Sequence, residues 1–116
     1  MTLKDIVTEL ELEVLVGSED LSATVTGGYT SDLLSDVIGH AREHDVWITL
    51  QTHQNIIAVA RLKEIAGIIL VGGRRPDPET LSKAEQEKIA VFTTRERAFS
   101  ISGKLYAMLE RNRETS

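Results

Sequence analysis

Ile68-Ile69-Leu70-Val71, followed directly by Gly72-Gly73-Arg74-Arg75-Pro76, is the stretch that decides the fold. A short unbroken apolar run bounded by glycines predicts a strand buried on both faces, and such strands belong to parallel sheets with helices on each side. The neighbouring segments agree. Upstream, Asn55 is placed to cap a helix carrying Ile56, Ile57, Val59, Ala60 and Ile65 and ending before Gly67. Downstream, Asp77-Pro78 reads as a helix start, since proline suits the first turn, with Leu81 and Ala84 on the inner face and a strand at Ile89 to Phe92 beyond.

The pattern repeats towards both ends. Val46 to Leu50 predicts a strand, preceded by a helix from Thr30 or Ser31 with Leu33, Leu34, Val37, Ile38 and Ala41 along one face. Glu11 to Val16 predicts the first strand, leaving through Gly17-Ser18, and Thr26-Gly27-Gly28 then reads as a turn into the following helix. Thr2 and Asp5 have the spacing of a capping box for an initial helix with Leu3, Ile6, Val7 and Leu10 on one face. Arg95 to Leu109 predicts a last helix with a stripe of Phe99, Ser102, Gly103, Tyr106 and Leu109. Strands alternating with helices imply crossovers. The expectation is an α/β fold: a single domain over residues 1–110 with a mainly parallel sheet of four or five strands, helices packed on it, and a polar tail over 111–116.

Composition narrows the function. The 116 residues are 41% hydrophobic, enough for one core, and that core must be aliphatic because Tyr29, Trp47, Phe92, Phe99 and Tyr106 are the only aromatic residues. The absence of cysteine excludes disulfides, thiolate metal sites and a cysteine nucleophile. A net charge of −5 argues against general nucleic-acid binding, which favours a basic excess. No apolar run approaches the ~20 residues of a membrane span, and the start of the chain does not read as a secretory signal. The cytoplasm is the expected compartment.

Open parallel sheets bind ligands outside the carboxyl ends of their strands. The loops read there carry Thr26, Gly27 and Gly28; Thr52 and His53; Gly73 and Arg74; and Arg95. These eight residues are the candidate ligand-binding set. Gly27-Gly28 before a helix suits a phosphate or carboxylate, although two glycines before a capped helix also make an ordinary tight turn. Arg74 and Arg75 could clamp an anion or stand solvated in a loop. His53 has no second histidine or cysteine beside it, so no metal is expected. Ser18, Thr26, Thr52 and Thr93 are nucleophile candidates by residue type alone, and no catalytic motif accompanies them. No enzyme activity is expected, and no cofactor is specified.

The runs Val14-Leu15-Val16-Gly17, Val25-Thr26-Gly27-Gly28, Ser31 to Val37, Val46 to His53 and Ile68 to Arg74 are similar to the DRTGG domain family, over roughly Leu3 to Leu109. The motif that names the family aligns to Thr24-Val25-Thr26-Gly27-Gly28, with Thr24 and Val25 where the family has its Asp and Arg. The resemblance implies an α/β accessory or regulatory domain, often dimeric and without established catalysis. Related domains accompany phosphotransacetylases and pyrophosphatases regulated by CBS domains, resemble the HPr kinase N-terminal domain, and have stand-alone members encoded near hydrogenase components. Two functions follow as expectations. One is a regulatory or ligand-sensing module for a nucleotide or small anion. The other is a homodimeric accessory module with a protein partner, no small ligand, and the Phe99, Tyr106 and Leu109 stripe as its contact.

Overall fold

The computed structural model describes residues 1–115, and the side chains of residues 1–114. In chain order the elements are α1 (Leu3–Leu10), β1 (Glu13–Val16), β2 (Gly27–Thr30), α2 (Leu34–His40), β3 (Asp45–Thr49), α3 (Asn55–Leu62), β4 (Gly67–Leu70), α4 (Pro78–Glu87), β5 (Val91–Thr93) and α5 (Ala98–Thr115). The sheet order is β1-β5-β4-β3-β2. Strands β2 to β5 run parallel, and β1 pairs antiparallel with β5. The α/β architecture with a mainly parallel sheet is the one expected from the sequence.

Side-chain alternation divides the core into two layers. Val46 and Ile48 of β3, Ile69 of β4 and Phe92 of β5 face Leu3, Ile6 and Leu10 of α1 and Ile101, Leu105 and Met108 of α5. Their neighbours Trp47, Ile68, Leu70 and Val91 point the other way, onto Val37, Ile56, Ile57, Ala60 and Ala84 of α2, α3 and α4. With both faces covered, the middle of each central strand is apolar on both sides, which is why Ile68 to Val71 shows no polar alternation.

Five details depart from the sequence expectation. Thr26-Gly27-Gly28 is not a turn into a helix. Gly27 and Gly28 begin the edge strand β2, whose partners run from Gly27↔Asp45 to Thr30↔Ile48. Helix α2 starts only at Leu34, leaving Leu33 64% exposed. The inner face of α5 is Ile101, Leu105, Met108 and Leu109, and Phe99 and Tyr106 of the expected stripe are 88% and 66% exposed. The aliphatic set has an equally good helical spacing and packs into the layer of Val46, Ile48, Ile69 and Phe92 beneath it. At α3, Asn55 is the first helical residue and does not cap; its N–H instead donates to His53 Nδ1 at 3.1 Å. The stretch read as a polar tail continues α5 as far as Thr115, and residue 116 lies outside the described residues.

The Thr2 capping box is present. Asp5 N–H donates to Thr2 Oγ1 at 3.4 Å and Thr2 N–H donates to Asp5 Oδ2 at 2.9 Å. This box also positions the β1–β2 connection, because Thr2 bridges Thr24 and Lys4 N–H donates to the Leu21 carbonyl. Thr2→Ala is expected to cost about 1 kcal/mol, the usual worth of an N-cap, measured by urea denaturation. The Thr2 backbone bond, foremost, holds the Asp5 carboxyl below its ordinary value. A depressed folded-state value contributes stability above the unfolded pKa and loses it as pH falls through the folded one. Asp5→Asn should therefore lower stability at neutral pH, with the difference from wild type closing in acid.

Candidate functional site

The carboxyl ends of β3, β4 and β5 form one edge of the sheet, and backbone bonds fix their loops. Gly72 and Gly73 have φ of +68° and +72°, a left-handed conformation that glycine adopts without strain. Their N–H groups are already engaged: Gly72 donates to the Glu96 carbonyl and Gly73 to the Thr94 carbonyl, each at 2.8 Å. Thr93 Oγ1 donates to the Arg74 carbonyl at 2.8 Å. This double-glycine loop is thus stapled to the exit of β5. Its two glycine donors are occupied, so the charged side chains around the loop are the groups that can meet an anion.

Those side chains are arginines. Arg75 grips Glu13 bidentately, at 3.0 and 3.1 Å. Arg74 and Arg95 are exposed and have no ion pair among the described residues. A β-carbon on Gly73 would lie 4.0 Å from Arg95 Cγ, so the Arg95 stem runs alongside that glycine. A cavity of about 430 Å³ opens here, lined by Gly73, Thr93, Thr94 and Arg95 on the β4–β5 side and by Glu11 and Glu13 across it.

Of the eight residues expected to share a crevice, Gly73 and Arg95 line this cavity and Arg74 belongs to the same loop. Thr52 and His53 serve other elements. The Thr52 carbonyl accepts from Asp77 N–H at 3.1 Å and Thr80 Oγ1 at 2.7 Å, joining the β3 exit to α4. His53 Nδ1 accepts the first helical N–H of α3, so the neutral ring carries its proton on Nε2. Thr26, Gly27 and Gly28 lie at the opposite, amino edge of the sheet. They line a separate cavity of about 440 Å³ with His40, Arg42 and Asp45. The antiparallel β1 explains the separation: it ends at the amino edge, and the chain enters β2 from there.

The glycines of β2 answer to close packing. A β-carbon on Gly27 would meet Asp45 Oδ1 at 2.6 Å, and one on Gly28 would meet Leu105 Cδ2 at 3.0 Å. Asp45 is buried, and its other oxygen accepts Arg42 N–H at 2.8 Å. Two acidic residues that sequence reading passed over hold the β2–α2 region. Asp32 Oδ1 accepts Thr49 Oγ1 at 2.8 Å and Leu50 N–H at 2.7 Å. Asp36 accepts the Tyr29 hydroxyl at 2.9 Å, and hydrogen bonds from Ser31 first and Tyr29 second hold its carboxyl below the ordinary range. Both are separated from their partners by loop geometry that no local pattern encodes. Among the described residues no group of His, Asp or Glu is arranged to hold a metal, and no helix is long and apolar enough to cross a membrane.

The chain belongs to the DRTGG domain family, which matches residues 5–108. No curated protein matches it. Among solved structures it is similar to the CBS and DRTGG domains of the regulatory region of Clostridium perfringens pyrophosphatase, a complex with the activator diadenosine tetraphosphate. The TM-score is 0.65 at 20% identity, covering 87% of this chain and 44% of that one. The present chain therefore corresponds to under half of that regulatory region, and the likeness is one of fold.

Proposed function

We propose that this domain is a non-catalytic regulatory module that senses a nucleotide or other small anion at the carboxyl edge of its sheet. The observation that carries the reading is the pair of exposed guanidinium groups, Arg74 and Arg95, without acidic partners and set around the rigid Gly72-Gly73 loop. In a chain of net charge −5, two other basic groups on this side are neutralised. Glu13 takes Arg75, and Glu96 takes Lys104 at 2.7 Å. Two unpaired arginines on a fixed loop can meet a phosphate bidentately. Family membership and the fold likeness to a pyrophosphatase regulatory region support the regulatory role. The cysteine-free sequence suits the reducing cytoplasm.

Thermal denaturation at low salt with AMP, ATP and inorganic phosphate tests this. Ligand at a hundred times its Kd should stabilise by about 2.7 kcal/mol, raising the Tm by several degrees. Arg95→Ala should weaken binding at least tenfold, and Arg74→Ala less. An unchanged Tm across the three probes sinks the anion-sensing role.

A second reading, a homodimeric accessory module without a small ligand, draws on the exposed Phe99 and Tyr106 of α5. Large solvent-facing aromatic residues commonly mark contact surfaces. Sedimentation equilibrium separates the two: a monomeric mass throughout, with Phe99→Ser indistinguishable from wild type, removes the dimer.

A further inference from the structure

The structure assigns a second small-molecule site, a cleft between β2 and α5 that fits a neutral, flat heteroaromatic ring. This cleft lies beside edge strand β2, three strands away from β5 and the Arg95 cavity. Its volume is about 190 Å³. Gly28 contributes strand backbone to one wall, with Leu105 Cδ2 packed 3.0 Å from where its β-carbon would lie, while Ile48, Leu105 and Leu109, all buried, form an apolar floor. The Tyr106 ring, 66% exposed, stands at the mouth. An apolar floor with an aromatic face beside it favours a flat ring that can stack.

One end of the cleft is polar. Thr30 Oγ1 and Ser102 Oγ lie 2.7 Å apart and share a single hydrogen bond. Two hydroxyls sharing one bond retain one unused donor and several lone pairs. They can therefore both donate to and accept from the edge of a ring bearing adjacent ring nitrogen and amino groups. The larger cavity at the amino edge shares Gly28, Tyr106 and Leu109 with this cleft and continues it towards Arg42 and Asp45. A polar substituent on the ring thus has room to leave without crossing the core. The lining carries no charge at the ring position, which distinguishes this cleft from the arginine site.

Titration of the uniformly ¹⁵N-labelled full chain with adenosine and, separately, with indole tests the assignment. Adenosine should give saturable shifts confined to the amides of Gly28, Thr30, Ser102, Tyr106 and their neighbours, with indole at least tenfold weaker because it cannot accept from the hydroxyl pair. Ser102→Leu, which fills the cleft from its rim, should abolish the shifts. Tyr106→Ala, at an exposed position that leaves the core intact, should weaken binding several-fold. Arg95→Ala should leave adenosine binding unchanged, so this result is independent of the anion site. No saturable shift at these amides, equal response to indole, or shifts that survive Ser102→Leu in a spectrum otherwise folded would each overturn the assignment.

Discussion

Replacing Gly27 and Gly28 together by alanine is expected to destabilise the domain by about 2–5 kcal/mol, most of it from Gly27, since each overpacked position costs about 1–3 kcal/mol. At Gly27 the new methyl would sit 2.6 Å from Asp45 Oδ1. That carboxylate cannot swing aside cheaply, because it is buried and its second oxygen accepts Arg42 N–H from the connection that precedes β3. At Gly28 the clash is with Leu105 Cδ2 at 3.0 Å, and a leucine methyl can yield a few tenths of an ångström. Alanine also reduces the entropy of the unfolded chain, returning about 0.4–1 kcal/mol per site where the backbone permits it. Gly28→Ala alone should therefore be mild and Gly27→Ala alone severe. Urea denaturation followed by circular dichroism checks both. If the glycines served an anion through their backbone, the alanine variants would keep their stability and lose ligand affinity. Equal stability of Gly27→Ala and wild type would refute the packing account.

Ile68 to Val71 declares a doubly covered strand because burial on two faces demands apolar side chains at every position. Nothing comparable marks β2. Its four residues are Gly-Gly-Tyr-Thr, and their strand conformation comes from the ladder to β3 and from the approach of α5, both long-range. Local preference favours a turn there, and tertiary packing overrides it. Val25, which stands where the family has arginine, is buried in the layer beneath α1 and α5, so this position contributes packing and no charge.

The direction of β1 was equally hidden. A strand of four residues has no polarity that a hydropathy pattern can register. Its antiparallel pairing with β5 follows from α1, which delivers the chain to the carboxyl edge beside Thr93. That single reversal moved Thr26, Gly27 and Gly28 away from Gly73, Arg74 and Arg95. The loops after β3, β4 and β5 follow from a parallel topology, whereas the groups they bond to are set by long-range contacts. Thr52 and His53 look available in sequence, yet backbone bonds give the Thr52 carbonyl to α4 and His53 Nδ1 to α3.

Trp47→Ala should be the most damaging single substitution, costing about 3–5 kcal/mol for the lost ring and its cavity. Trp47 is fully buried in the layer beneath α2, α3 and α4. Its indole Nε1–H also donates to the Ser31 carbonyl at 2.8 Å, holding the exit of β2 against the centre of the sheet. Removing it leaves that carbonyl without its donor, an added cost of about 1–3 kcal/mol if water cannot reach it. Against a total stability of about 5–15 kcal/mol for a domain, the variant should lose a large share of its stability and show a urea midpoint far below that of wild type. Trp47→Phe keeps most of the ring volume and isolates the hydrogen bond, so it should lose about half as much or less. Since Trp47 is the only tryptophan, its replacement removes the fluorescence signal, and the comparison must use circular dichroism. The Ser31–Asp32 segment also carries the carboxylate that fixes the exit of β3. Amide exchange in Trp47→Phe should therefore quicken first from Ser31 to Leu50, while β4 and β5 keep their protection. Uniform acceleration over the whole sheet would show that Trp47 supports the core alone and does not anchor β2.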